Sequence, residues 1–128
     1  MHSLRQRINT RDESGFTLIE LLVVLIIIGV LLAIAVPSYL GFKDRAEAKA
    51  SAADVRSAIP DAEAYFSDNN TYVGMNAAAL LAIDSGISPA VTPANQTATS
   101  YCLAATVGTN TSHVNGPGGT VTPDNGGC

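Results

Sequence analysis

The sequence has no tryptophan, only two histidines and two cysteines, and aromatic residues make up 5% of its 128 positions. A small domain with so few aromatic side chains must build its core from aliphatic and small residues. The two histidines, His2 and His113, are far apart in sequence. No Ser/His/Asp set, glycine-rich phosphate loop or cluster with metal-ligand spacing occurs. The sequence therefore predicts no enzyme, no metal site and no cofactor.

Positive charge is missing from the C-terminal half, because no Lys or Arg follows Arg56. From residue 16 onward the chain has four basic and nine acidic residues, a formal net charge of −5. Such an acidic segment argues against a dedicated nucleic-acid surface. The basic residues fall into two groups, one before residue 12 (Arg5, Arg7 and Arg11) and one after residue 42 (Lys43, Arg45, Lys49 and Arg56).

A long apolar run from Phe16 to Val36 dominates the N-terminal third of the chain. Only Thr17 and Glu20 are polar among its 21 residues. As a helix it is about 30 Å long, enough to cross the hydrocarbon core of a bilayer. The rest of the chain has too little apolar sequence to cover it, so a bilayer or other copies of the same helix must do so.

Glu20 is the exception within this run. A carboxylate near the start of an apolar span costs about 2–4 kcal/mol to bury. Two interpretations are open. The side chain either lies at the level of the lipid headgroups without a function, or it has a functional partner.

The motif Gly15–Glu20, GFTLIE, follows a short charged leader and begins the apolar run. It closely resembles the class III signal of type IV pilins and their pseudopilin relatives. Gly29 and Pro37 also match the spacing in that family. The close resemblance covers about residues 5–72, and beyond it only the general layout is similar.

The resemblance implies that a prepilin peptidase cuts between Gly15 and Phe16 and methylates the new Phe16 amine. It also implies that Glu20 steers assembly by neutralising the Phe16 amine of a neighbouring subunit, which fits the rule that a buried charge needs a partner. The segment from Gly29 to Pro37 is the expected hinge. The implied partners are the membrane, the inner-membrane pilus assembly machinery and other copies in a helical filament. The N-terminus is expected in the cytoplasm, and the assembled pilus at the cell surface.

The predicted organisation has four parts: a leader (1–15), a transmembrane and assembly helix (16–37), an amphipathic helix (38–68) and a small head (69–128). Pro60 is expected to kink the second helix or to interrupt it briefly. The resemblance implies the α+β pilin fold, a long helix packed on a small antiparallel sheet. A helical repeat places six residues on one apolar face of the second helix: Ala48, Ala52, Val55, Ile59, Ala62 and Phe66.

Within the head, Ala77–Ile83 is predicted as a short helix and Ala98–Val107 as a strand. Thr111–Asn115 and Gly119–Thr122 are further short strand candidates. Apart from the short helix, the segment before Ala98 is predicted to be loop. His113 is expected on the surface of its strand.

Cys102 and Cys128 are the only cysteines, and both follow the apolar run. In an exported, oxidised domain they could form one disulfide, remain free thiols or bridge two subunits. We predict the disulfide, which would fasten the Gly/Pro-rich C-terminal segment and stabilise the head by roughly 3.5 kcal/mol in the chain-entropy model.

Three functions fit these features to different degrees. The first is a structural subunit of a type IV pilus, and the cysteines that bracket a C-terminal loop favour it. The second is a pseudopilin of a type II secretion or DNA-uptake system. A calcium ion near the C-terminus, where Asp124 and Asn125 could contribute ligands, would favour the second. The third, a membrane-anchored enzyme, has no catalytic constellation to support it.

Overall fold

The computed structural model describes residues 17–128, so the predicted cleavage and methylation positions Gly15 and Phe16 lie outside the described residues. The chain divides into two compact units, one that ends at Gly41 and one that comprises Phe42–Cys128, called the head below. Five elements follow in chain order: α1 (Leu18–Asn69), α2 (Ala77–Ile83), β1 (Val91–Ala94), β2 (Tyr101–Val107) and β3 (Asn110–Gly116).

Helix α1 is 52 residues long and confirms the predicted long helix. Thr17 precedes it, and its hydroxyl oxygen accepts a hydrogen bond from the backbone N–H of Glu20 at 3.2 Å, as an N-cap residue does. The helix runs without a break through both Pro37 and Pro60. The brief interruption considered at Pro60 is therefore wrong.

The core of the head forms between the inner face of α1 and the sheet. Small residues of α1 are fully covered there, and they allow the sheet to approach the helix closely. The predicted apolar face is confirmed in large part, with Ala52, Val55 and Ala62 buried and Ile59 and Phe66 partly buried. The other elements contribute the larger core residues: Tyr72, Met75, Leu80, Val91, Tyr101, Leu103 and Val114.

The sheet has three antiparallel strands in the order β1-β2-β3. Leu103 lies opposite Pro93 on one side and Val114 on the other. The β2–β3 turn needs Gly108, which has a positive φ of 61°, and a side chain there would collide with the carboxylate of Glu47. The turn is thus shaped by the strand pairing and by α1.

The head differs from the sequence prediction in two strands. Strand β1 (Val91–Ala94) was expected to be loop because prolines punctuate this segment, but Pro93 is tolerated in a strand at the sheet edge. The strand predicted at Gly119–Thr122 is wrong except at Thr122, which forms an isolated bridge with His113. The helix predicted at Ala77–Ile83 is confirmed.

Candidate functional site

The first part of α1 exposes nearly all its apolar side chains. Among residues 17–128, α1 is the one helix long and apolar enough to cross a membrane by length and composition. None of the residues in its most apolar stretch is buried. The large side chains are between 44% and 84% exposed: Leu18, Ile19, Leu21, Leu22, Val23, Val24, Leu25, Ile26, Ile27, Ile28, Val30, Leu31, Leu32, Ile34 and Val36. An apolar surface of this size indicates contact with lipid or with other molecules.

Glu20 lies in the first turn of α1, where the partial positive charge of the helix N-terminus stabilises a carboxylate. Its side chain is exposed, and no Lys, Arg or His nitrogen of residues 17–128 lies within 4.0 Å of it. The cap residue Thr17 stands three positions earlier, a Thr-x-x-Glu pattern typical of helix starts. Sequence reasoning missed Thr17, although this pattern could have identified it.

The predicted hinge residues have a different environment from that of Glu20. A Cβ on Gly29 would meet no atom within 4 Å, so the fold of one chain does not require glycine there. Pro37 removes one backbone donor from the helix. Next to it, the Ser38 hydroxyl donates to the backbone oxygen of Ile34 at 3.1 Å, a contact that often accompanies helix bending.

In the head, Cys102 and Cys128 form a disulfide within one chain. The C-terminal segment is also held by hydrogen bonds that the sequence did not reveal. The side-chain amide of Asn95 donates to the backbone oxygen of Cys128 at 3.2 Å. His113 and Thr122 exchange two backbone hydrogen bonds at 2.9 and 3.1 Å. The C-terminal segment is therefore held by these hydrogen bonds as well as by the disulfide.

His113 is largely covered rather than a surface strand residue, because its side chain is only 17% exposed. Its Nδ1 lies 3.4 Å from Oδ1 of Asp124, and the same carboxylate oxygen accepts the backbone N–H of Gly126 at 2.8 Å. The amide oxygen of Asn125 accepts the backbone N–H of Thr111 at 3.0 Å. Both suggested calcium ligands thus bind the C-terminal segment to itself and to β3.

The carboxylate of Glu63 is contacted by the hydroxyl groups of two core tyrosines, Tyr72 and Tyr101. The hydroxyl of Tyr72 donates to both carboxylate oxygens at 3.1 and 3.2 Å, and that of Tyr101 lies 3.5 Å from one of them. The ring of Tyr72 packs between those of Phe66 and Tyr101, and its centroid lies 4.7 Å from each of theirs. Burial, with the nearby negative charge of Glu63, raises the pKa of Tyr101 to about 12 and raises that of Tyr72 as well, so both hydroxyls stay protonated and donate.

A second acidic group is less well paired. Asp61 is 9% exposed, and its Oδ2 is buried without a hydrogen-bond partner. Burial, together with the adjacent carboxyl group of Asp84, raises the pKa of Asp61. Asp61 and Asp84 can share a hydrogen bond only if one of the two carboxyl groups is protonated. When both are ionised, neither has a proton to donate, and Oδ2 of Asp61 is then left without a donor.

The predicted site residues fall into two groups. Glu20, Gly29 and Pro37 lie on the exposed segment before Gly41, and the cysteine pair lies in the head. No group of three or more His, Cys, Asp or Glu side chains in the described part of the chain could hold a metal ion. The exposed apolar segment with its single carboxylate is thus the candidate site, and its chemistry is that of a contact surface.

Comparisons with known proteins agree with this interpretation. A family model described as the prokaryotic N-terminal methylation motif matches residues 10–36. The type IV wide pilus major component PilA4 of Thermus thermophilus is 40% identical over 102 residues, which cover 74% of each chain. The type II secretion system core protein G of Aeromonas hydrophila is 37% identical over 62 residues, 48% of this chain and 43% of that protein.

The type IV major pilin protein PilA of Myxococcus xanthus is 36% identical over 66 residues, 52% of this chain and 30% of that protein. The chain thus matches less than half the length of the A. hydrophila and M. xanthus proteins, but about three quarters of the T. thermophilus pilin. That extended similarity, the methylation motif and the fold of one long helix on a small antiparallel sheet lead to one conclusion: the chain belongs to the type IV pilin and pseudopilin family.

Proposed function

We propose that this chain is a structural subunit of a type IV pilus. The observation that carries the proposal is the 44–84% exposure of the large apolar side chains from Leu18 to Val36. Such a surface is stable only in lipid or against other subunits. Before assembly, a subunit of this kind is a single-pass protein of the inner membrane. It leaves the membrane when its helix packs among other copies in the filament.

Processing and assembly then follow from the sequence motif. A prepilin peptidase cleaves between Gly15 and Phe16 and methylates the Phe16 amine. Glu20, which has no cation within 4.0 Å among residues 17–128, pairs with the Phe16 amine of a neighbouring copy. Two charges that enter an apolar environment together cost much less than one alone. The pilus assembly machinery of the inner membrane supplies the extraction step.

A second function is a pseudopilin of a type II secretion or DNA-uptake system, and the similarity to core protein G supports it. The pilin role is favoured because the similarity to the T. thermophilus pilin extends over 102 residues rather than 62. A pseudopilin would stay with the cell envelope, and its loss would abolish secretion or DNA uptake without removing a surface fibre.

The test is to shear fibres from cells that express the full-length chain, then to image them and analyse their mass. We expect fibres composed of a chain that begins at methylated Phe16. Intact Met1 in the sheared material would remove the basis of the proposal. A processed chain found in the membrane fraction alone, with no fibres, would support the pseudopilin function instead.

A further inference from the structure

The first residues of the head expose an aromatic ring and two cations. Phe42 is 71% exposed, although it is a large apolar side chain in a unit with its own core. The side chain of Lys43 is 57% exposed, and Arg45 is also exposed. No carboxylate oxygen of residues 17–128 lies within 4.0 Å of Arg45. We call Phe42, Lys43 and Arg45 the collar.

The carboxylates of the same stretch have partners within the head. The side-chain amide of Asn110, at the start of β3, donates to Oδ1 of Asp44 at 2.9 Å and to Oε2 of Glu47 at 3.3 Å. Nζ of Lys43 lies 3.8 Å from Oε1 of Glu47, whose side chain is only 19% exposed. Because the head engages the acidic groups, the guanidinium of Arg45 is left as an exposed positive charge.

The exposed and the engaged side chains lie on opposite sides of α1. At about 100° per residue, Phe42 and Arg45 are about 60° apart around the helix axis. Asp44 and Glu47 are about 140–160° from Phe42, and the fully buried Ser51 lies between them on that side. Phe42 and Arg45 therefore lie on the side of the helix that faces away from the core of the head.

The collar begins two positions after Leu40, the last large aliphatic residue of the exposed apolar segment. The headgroup layer on each side of a bilayer is about 5–7 Å thick, which a helix crosses in about four or five residues. When the apolar segment lies in a membrane, residues 41–45 are therefore at the level of the headgroups. Aromatic side chains are enriched at this level, and Lys and Arg there attract anionic lipids.

Cations at this end of the span need an explanation. Lys and Arg usually accumulate on the cytoplasmic flank of a membrane helix, but the proposed orientation places Lys43 and Arg45 on the other side of the membrane. From residue 16 onward the chain has a formal net charge of −5, so an anionic membrane repels most of its surface. Two cations and an aromatic ring provide an attractive contact where the head meets the bilayer.

We propose that the collar binds the phosphate groups of anionic phospholipids while the subunit is in the membrane, with the ring of Phe42 among the headgroups. The inference rests on the part of the proposed function in which the subunit is a single-pass membrane protein before it assembles. Arg45 donates to the phosphate oxygens, and Lys43 adds a second positive charge. Extraction of the subunit into a filament breaks these contacts.

The absence of tryptophan provides a direct probe. The full-length chain with Phe42→Trp has a single indole, whose fluorescence is quenched by lipids that carry bromine near the glycerol end of the acyl chain. The protein is reconstituted in vesicles with equal fractions of either brominated phosphatidylglycerol or brominated phosphatidylcholine. We expect at least twofold stronger quenching by the anionic lipid, and we expect this preference to shrink at about 1 M salt.

Two arginine variants in the Phe42→Trp background test which cation is responsible. Arg45→Gln should remove most of the preference for the anionic lipid. Arg56→Gln is the matched control, because it removes the same charge from an exposed position about 16 Å further along the helix and should leave the preference unchanged. As a control for depth, the indole is moved to another exposed position with Ser57→Trp, which should be quenched at least threefold less by either lipid.

Equal quenching of Phe42→Trp by the two lipids would overturn the proposal. A preference that Arg45→Gln leaves intact, or that Arg56→Gln removes to the same extent, would also overturn it, because the lipid would then respond to net charge rather than to the collar. These results leave the pilus function intact, since the vesicles contain no fibres. A chain that does not float with the vesicles would overturn both this inference and the membrane stage of the proposed function.

Discussion

The residues before and after Gly41 belong to one helix, yet they place their apolar side chains in opposite environments. Between residues 17 and 41, large aliphatic side chains are exposed, and the side-chain hydrogen bonds of that range are local contacts of Thr17 and Ser38. After it, smaller side chains such as Ala58 and Ala62 are fully buried against a sheet. The first segment thus depends on molecules outside the chain, and the second is satisfied by its own domain.

This difference separates two kinds of variant. A change in the head should alter the free energy of unfolding, and a change in the apolar segment should alter assembly while the head stays stable. The predictions below test that separation, from the largest expected effect to the smallest.

Removing the Cys102–Cys128 bridge should give the largest loss. Cys128→Ser is expected to lower the free energy of unfolding of the head by about 3.5 kcal/mol, because the bridge spans 26 positions and restricts the unfolded chain. Thermal unfolding followed by circular dichroism measures this. Cys102→Ser should cost at least as much, since it breaks the same bond and also places a hydroxyl where the Cys102 side chain is 1% exposed. A loss below about 1 kcal/mol would mean that the hydrogen bonds of the C-terminal segment suffice to hold it.

Glu20→Ala should lower the yield of sheared fibres at least tenfold, about 1.4 kcal/mol in assembly free energy, with the unfolding temperature of the head unchanged. The reason is the loss of the partner proposed for the Phe16 amine of a neighbour. Glu20→Asp retains the charge and serves as the control, with a smaller loss. Normal fibre yield from Glu20→Ala would show that the pair is dispensable. It would also contradict the expectation that changes in the apolar segment alter assembly.

Gly29→Ala tests the hinge, which stays a prediction. Alanine favours a helix by up to about 1 kcal/mol over glycine, and the new methyl group meets no atom within 4 Å in this chain. If the segment must lose helical order on assembly, fibre yield should fall up to about fivefold. Pro37→Ala restores a backbone donor and should act in the same direction without a new contact at position 29. Unchanged yields from both variants would speak against a hinge.

Asp61→Asn should have the smallest effect, and it concerns pH. The folded-state pKa of Asp61 is raised, mainly by burial and then by Asp84, so its contribution to stability is full below its ordinary value of 3.8 and falls as pH rises through the folded-state pKa. At neutral pH the amide should stabilise the head slightly by donating to Asp84. Unfolding midpoints at pH 3.5 and pH 7 measure the difference. If Asp61→Asn unfolds at a lower temperature than the unmodified chain at pH 7, the carboxylate of Asp61 is better paired than the structure indicates.

The sequence predicted the regular parts of the fold well and the irregular parts poorly. The helix predicted at Ala77–Ile83 is confirmed, and the structure adds its cap: the side-chain oxygen of Asn76 accepts the backbone N–H of Ala79 at 2.8 Å. Strand β1 was missed because Pro93 normally argues against a strand, and only the sheet order shows that it lies at an edge. Strand position in a sheet is a long-range property that local patterns do not contain.

The candidate site shows the same limit. Glu20 could be identified from the sequence, since a carboxylate in an apolar run is costly in any fold. The contact between His113 and Asp124 could not, because the two residues are brought together only when the C-terminal segment bridges to β3 at Thr122. The disulfide was one of three arrangements that the sequence allowed, and the fold places both cysteines in one chain within bonding distance.

The sequence has lysine at two positions only, Lys43 and Lys49, and this has a practical consequence for chemical labelling. An amine-reactive dye has no side-chain target in the 72 residues after Arg56, so the surface of the sheet can neither be tagged nor blocked by such a reagent. Proteases that cleave after Lys or Arg likewise find no site there. Dye uptake by intact fibres would therefore report almost entirely on one short stretch of the helix, with Lys43 as an internal standard for the accessibility of Lys49.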